Sequence, residues 1–226
     1  MTEASQPQAT WTAVDEYIAE KLVVEEGALT AALADNTAAG LPAMDVSPAQ
    51  GKFLALMVAI TGARKVLELG TLGGYSTIWM ARALPEEGEL ITLEYDPHHA
   101  EVAKANIARA GLSDRVKIIV GAAAKMLPQL AADGAGPFDL IFIDADKPNN
   151  PIYLDWAVRL SRSGTVIILD NVVRDGRVVE VDSADARIIG TRAGFDFISV
   201  HPRLDATALQ TVGTKGYDGF VLARVR

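Results

Sequence analysis

Residues 142–150 read FIDADKPNN, which places Asp144, Asp146 and Lys147 within four positions. Residues 165–171 read TVIILDN, so a second apolar run closes on Asp170 and Asn171. Two carboxylates and an amide oxygen are hard donors. They suit a cation such as magnesium, with water or substrate oxygens completing the octahedron. Asp144, Asp170 and Asn171 are therefore candidate metal ligands, and manganese or calcium could use the same donors. Such a cation lowers the proton affinity of a hydroxyl bound to it and fixes its direction of attack. Lys147, close by in sequence, could take the hydroxyl proton or stabilise the resulting anion. Competing readings exist: a charged strand tip is easily solvated, Asn171 suits a turn, and a surface ammonium needs no partner. What separates them is whether other segments converge on the same point.

A second segment with chemical content is LELGTLGGYST, residues 67–77. Gly70 ends an apolar run, and Gly73 and Gly74 open the turn before a helix. Small residues let a ligand approach the backbone, and a new helix offers unpaired amides to a carboxylate or a phosphate. A tight turn without a ligand would use the same glycines. The spacing reproduces neither G-x-G-x-x-G nor the G-K-[ST] phosphate loop. Glu68 is awkward beside a pyrophosphate and well suited to an ammonium. Glu94 closes the next apolar run, at the distance expected of an acid that binds two ribose hydroxyls. Ammonium, carboxylate and ribose together point to S-adenosylmethionine rather than a dinucleotide.

The elements that must position these residues alternate. Helical periodicity covers 11–37, broken near Glu26 and Gly27, and Ser47 with Pro48 starts a further helix to about Thr61. Short apolar strands then alternate with helices: KVLELG, ELITLEYD, VKIIVG, FDLIFIDAD and TVIILDN are strands. Helices follow each of the first four, one of them interrupted at Pro128. SADARIIGTRAG reads as helix, FDFISVHP and GFVLARV as two closing strands, and DATALQTVGTKGYDG as an insertion-like stretch. This is an α/β pattern, a doubly wound, mostly parallel seven-stranded sheet with helices on both faces and an antiparallel strand near the C-terminus. In such sheets ligands bind beyond the carboxyl ends of the strands. Glu68–Gly70, Glu94–Asp96, Gly121, Asp144–Lys147 and Asp170–Asn171 all fall there. The reading is one domain over 1–226, with 1–45 as a helical extension at the acceptor and cofactor side.

Composition narrows the classes. The 226 residues include no cysteine, which removes disulfides, thiolate catalysis and cysteine metal sites. Only His98, His99 and His201 could supply imidazole, so a histidine-rich metal site is not expected. The net charge of −8 argues against a general binder of nucleic acid or anionic membrane. No basic-then-apolar leader opens the chain and no apolar run is long enough to span a bilayer, so a soluble cytoplasmic protein is expected.

Taken together, the stretches MDVSPAQGKFLALMVAITGARKVLELGTLGGYSTIWMARALP, FIDADKPN and ILDNVVRDGRV resemble the class I methyltransferases. More narrowly, they resemble the cation-dependent O-methyltransferases related to the caffeoyl-coenzyme A and catechol enzymes, in their bacterial branch. The resemblance runs from about Met44 to the C-terminus. It implies a Rossmann-like sheet and an S-adenosylmethionine site in which Met44 and Val46 lie against the cofactor. Glu68 would hold its amino group, Gly70 would pass close to its methionine part, and Ser76 would donate to its carboxylate. Glu94 would accept from the ribose hydroxyls with Tyr95 beside them, Ala122 and Ala123 would border the adenine, and Asp144 would come near the methyl donor. It further implies a divalent cation, magnesium first, at Asp144, Asp170 and Asn171, Lys147 as general base, and a homodimer. The family motif often continues DADKxNY. Here Asn150 stands where the aromatic residue is usual, which bears on substrate or interface contacts rather than on the metal set.

The acceptor implied is a small aromatic molecule with vicinal hydroxyls, because two adjacent oxygens fit two open positions on a cation. Arg174 and Asp175 could guard its entrance, although a solvated turn explains them equally. Lys215 or Tyr217 could enter the pocket, or their segment could serve a dimer, and Trp11 could help an N-terminal segment close over the acceptor. Three other classes stay open: a nicotinamide-dependent oxidoreductase, a nucleic-acid methyltransferase and a non-catalytic cofactor-binding protein.

Overall fold

In a computed structural model describing residues 6–24 and 27–226, the strands form one seven-stranded sheet in the order β3-β2-β1-β4-β5-β7-β6. The strands are β1 Lys65–Leu69, β2 Glu89–Glu94, β3 Val116–Val120, β4 Phe138–Ile143, β5 Ser161–Asp170, β6 Leu204–Gly213 and β7 Gly216–Val225. β1 to β5 pair in parallel, and β7 runs antiparallel to both β5 and β6. The helices are α1 Gln6–Leu22, α2 Gly27–Ala38, α3 Pro48–Thr61, α4 Tyr75–Ala83, α5 Pro97–Arg109, α6 Ala123–Ala132, α7 Asn150–Arg159 and α8 Ala186–Val200. Among the described residues no helix is long and apolar enough to cross a membrane.

The period of two along each strand decides which helix layer a side chain meets. In β1, Leu67 and Leu69 face the layer that includes α6 and α7, while Val66 faces α3, α4 and α5. β4 divides in the same way, with Ile141 and Ile143 on one face and Leu140 and Phe142 on the other. Both faces are covered, which is why these strands are mostly apolar. Phe142 is fully buried, and its truncation to alanine should cost about 3–5 kcal/mol. Glu68 shares the parity of Val66, so it is carried under the first turn of α4 rather than into water.

The sheet order reverses between β1 and β4, and this is the crevice of the fold. Two close approaches shape it. Gly70 has φ +97, and a Cβ placed there would lie 2.0 Å from the Asp144 carbonyl oxygen. No other residue type allows both that left-handed backbone and that contact. Gly190 on α8 lets the helix meet the loop after β4, since a Cβ there would lie 2.2 Å from the Lys147 carbonyl oxygen.

The last third of the chain differs from the sequence reading. Residues 195–202, expected as a strand, continue α8 as far as Val200, and the adjacent strand is β6, made from the stretch that reads as an insertion. Phe195, Phe197 and Ile198 have high strand propensity, but as part of a helix they pack on the core beneath β6, and that burial outweighs propensity. Residues 204–213 gain a ten-pair ladder with β7, which offsets their largely exposed side chains. α6 also runs continuously through Pro128.

Candidate active site

A cavity of about 1160 Å³ opens at the carboxyl ends of the parallel strands. One wall includes Met44, Val46, Gly70, Ser76, Glu94 and Tyr95. Ala122 and Ala123 border it at the start of α6, and Asp144, Lys147, Asp170 and Asn171 come from the ends of β4 and β5. Of the residues assigned from the sequence to cofactor, cation or proton transfer, Glu68 alone is absent from the wall.

Glu68 is fully buried directly behind that wall. Its two carboxylate oxygens accept from Ser76 Oγ at 2.6 Å and from Thr77 Oγ1 at 2.5 Å. Burial pushes its carboxyl up to about 7, against the lowering effect of the hydroxyl donors. The sequence expectation has Glu68 holding the cofactor's amino group and Ser76 donating to its carboxylate. In the structure the Ser76 hydroxyl donates to Glu68, so Ser76 stands between that acid and the cavity.

Glu94 organises the glycine turn. Its Oε2 accepts from the amides of Thr71 at 3.0 Å and Leu72 at 2.8 Å, and its Oε1 accepts from Asp96 N at 2.9 Å. His99 Nδ1 lies 3.5 Å from the same Oε1. Leu72 is held at φ +48, a strained conformation that this carboxylate helps to maintain. One signal for the arrangement was available in the sequence, since Glu94 ends the strand beside β1 and its side chain must reach the turn after β1.

The acidic centre lies across the switch point. Lys147, 7% exposed, donates from Nζ to Asp144 Oδ1 at 2.9 Å. Asp170, 4% exposed, accepts at Oδ2 from Gln50 Nε2 at 2.7 Å and at Oδ1 from the Asn171 amide at 2.9 Å. Burial, and then repulsion from Asp144, push the Asp170 carboxyl up to about 7, with Lys147, the Asn171 amide and Gln50 acting against the shift. Asn171 takes a left-handed φ of +55, which asparagine tolerates better than most residues. Among the described residues no three His, Cys, Asp or Glu side chains gather as a metal cluster.

Gln50 is the functional contact that the sequence reading missed. It sits at the third position of α3, where its own amide donates to the capping Ser47 Oγ at 3.2 Å. That first helical turn abuts the strand ends, a tertiary contact for which the sequence carries no signal. Asp146 braces the loop rather than pairing with Lys147: it accepts from Asn149 Nδ2 at 2.5 Å and from the Tyr153 hydroxyl. Asn150 is buried with neither its Oδ1 nor its Nδ2 hydrogen-bonded. At the opposite rim, Lys215 lines the cavity and donates to the Ala43 carbonyl at 3.1 Å, whereas Tyr217 packs toward the core and Trp11 lies off the cavity wall.

Similarity to known proteins agrees with this arrangement. A family model described as O-methyltransferase matches residues 20–225. A catechol O-methyltransferase of Niastella koreensis is 55% identical over 213 residues, covering 94% of this chain and 96% of that protein. The crystal structure of an O-methyltransferase from Bacillus cereus in complex with SAH superposes with a TM-score of 0.96 at 55% identity, covering 97% of this chain and 100% of the other. The SAM complex of an O-methyltransferase involved in tomaymycin synthesis, from Streptomyces achromogenes, has a TM-score of 0.95 at 45% identity over 98% and 99% of the two chains. With the family model covering nearly the whole chain and the sheet, switch point and cavity wall shared by one set of segments, the protein belongs to the O-methyltransferase family.

Proposed function

We propose that the protein transfers the methyl group of S-adenosylmethionine to one hydroxyl of a small aromatic vicinal diol, with a divalent cation, magnesium first, held by Asp144, Asp170 and Asn171. The observation that carries this reading is the charge balance at the switch point. Lys147 pairs with Asp144 alone, and burial with repulsion from Asp144 pushes the neighbouring Asp170 up to about 7, the lysine charge only partly offsetting it. A dication would supply the missing positive charge, and the donors available to it are hard oxygens. The close relation to a catechol O-methyltransferase supports the diol. The relatives crystallised with SAH and SAM support the cofactor.

When bound, the cofactor supplies an activated methyl sulfonium, and the cation supplies Lewis acidity to two adjacent hydroxyl oxygens. The chain's own residues do the rest. Ser76 and Glu68 would serve the polar methionine end, with the Glu68 charge one hydrogen bond behind the wall. Glu94 ties down the turn with three of its four lone-pair sites and keeps one, on Oε1, to face the ribose hydroxyls. Met44, Val46, Tyr95, Ala122 and Ala123 would enclose the apolar parts and exclude water. Lys147 Nζ, held at Asp144, is the group to accept the acceptor's proton when uncharged or to compensate its oxyanion when charged. Because the bound cofactor would bring its methyl group already activated, these residues need form no acyl or phosphoryl intermediate.

The N-terminal helices would cover the acceptor side. Asp15 of α1 lines the cavity, and its Oδ2 accepts from the Thr214 amide at 2.8 Å at the β6–β7 turn. A cytoplasmic homodimer is the setting proposed for the enzyme, and an acidic chain of this kind is not expected to act on nucleic acid.

The test is methyl transfer followed by mass, comparing catechol with phenol, before and after chelation and after magnesium is returned. Transfer to the diol should stop on chelation and recover with the metal, while phenol stays unmodified. Asp170→Ala should lose the rescue by about a hundredfold or more while still binding cofactor. Lys147→Ala should keep metal affinity and slow single-turnover transfer, recovering in part at higher pH as the hydroxyl ionises by itself. Full activity after exhaustive metal removal rejects the cation reading.

A further inference from the structure

We propose that Arg174 reads a carboxylate, or an equivalent anionic group, on the acceptor, so that the preferred substrates are acidic vicinal diols of the dihydroxybenzoate or dihydroxycinnamate type. This rests on the acceptor class proposed above and adds to it the chemistry of the substrate's far end. Arg174 follows Asn171 by three residues and lines the same cavity. It lies on the β5–β7 side of the switch point, away from the Glu94 turn at the ends of β1 and β2, so its ligand is the acceptor rather than the cofactor.

The segment carrying it is pinned. Asp218 Oδ1 accepts from the amides of Val173 at 2.9 Å and Arg174 at 3.0 Å, and Arg174 is held at φ +56. A left-handed backbone is unfavourable for a long side chain, so the fold maintains this orientation against a local cost. Yet the side chain has no anion. Its Nε is buried without a hydrogen-bond partner, and among the described residues no carboxylate pairs with it. The other cavity cations are occupied: Lys147 by Asp144, Arg187 by Asp185 at 2.7 Å, and Lys215 by the Ala43 carbonyl. Three acids that line the same cavity are occupied as well. Asp218 serves backbone amides, Asp15 serves Thr214, and Asp45 accepts from Asn36 Nδ2 at 2.8 Å. The Nε itself is sealed from the cavity, but the two terminal nitrogens have no partner among the described residues, and a carboxylate can accept from both at once.

The experiment pairs 3,4-dihydroxybenzoate with 3,4-dihydroxybenzyl alcohol, which keeps the diol and removes the charge. Both kcat/KM and equilibrium binding to the metal-loaded, SAH-bound protein are measured for each. The wild type should favour the acid by about tenfold to a hundredfold, mainly through KM, as a charged hydrogen bond implies. Arg174→Gln should reduce that acid-to-alcohol ratio at least tenfold, and Arg174→Lys should restore part of it. General damage to the loop lowers both substrates together and leaves the ratio unchanged, so an unchanged ratio in a folded Arg174→Gln variant overturns the proposal. A wild type that does not favour the acid in binding also overturns it. Failure to methylate either diol rejects the acceptor class instead. In that event the binding ratio still decides Arg174, because it needs no turnover.

Discussion

Glu68→Gln is the most informative single change, because it separates the electrostatic burden of this acid from its hydrogen bonds. Glutamine preserves the shape and can still engage Ser76 and Thr77, whose hydroxyls can rotate to donate or accept. In the wild type, burial raises the Glu68 carboxyl from an ordinary 4.5 to about 7. A folded-state value above the unfolded one means that the folded protein binds the proton more tightly. Glu68 therefore costs little stability in acid, below its unfolded value, and an increasing amount as pH rises through the interval up to its folded value. Over a rise from about pH 5 to about pH 8, the accumulated loss is roughly 2–3 kcal/mol from this one group. The glutamine variant lacks the titration, so the stability difference, variant minus wild type, should grow by that amount across the same interval. With a urea slope of about 2–3 kcal/mol/M for a chain of this size, the two midpoints should move apart by about 1 M. Urea unfolding of the ligand-free protein at both pH values measures this directly. Asp170 is raised in the same direction and gives the wild type a further slope, but it is common to both proteins and cancels in the difference. Parallel pH profiles for wild type and variant would refute the claim that Glu68 is charged at the expense of stability. The variant should also bind S-adenosylmethionine more weakly if the Glu68 charge serves the amino group.

Glu94→Ala should weaken cofactor affinity by about tenfold or more, since the Thr71 and Leu72 amides lose their acceptor along with the ribose; calorimetry on the folded variant checks it, and unchanged affinity rejects the assignment. Gly70→Ala should destabilise the protein by more than about 3 kcal/mol, because left-handed backbone strain adds to a Cβ contact of 2.0 Å with Asp144 O that only backbone movement relieves; a thermal midpoint close to wild type would contradict it. A homodimer should appear by light scattering at micromolar protein, with the exposed β6 edge and the exposed Leu56 and Ile60 of α3 as candidate contacts; a monomer across that range would count against it.

Much of this molecule is dictated locally. Apolar runs of five or six residues between helices demand a parallel sheet covered on both faces, and polar residues at the ends of those runs must gather at one edge. Asp144, Asp170, Asn171 and Glu94 were legible for that reason, and the glycine turn announced an approach to the backbone. Three matters needed the tertiary structure. Strand parity and helix placement together put Glu68 behind Ser76, and a short strand's sequence does not say which helix lies over which face. Gln50 reaches Asp170 across 120 residues of chain, through packing that no local pattern encodes. Residues 195–213 divide into helix and strand according to their partners: the aromatic run becomes helix because it packs on the core, and the polar run becomes strand because β7 offers it a complete ladder. Strand propensity is a weak local term, and long-range pairing and burial outweigh it wherever they conflict.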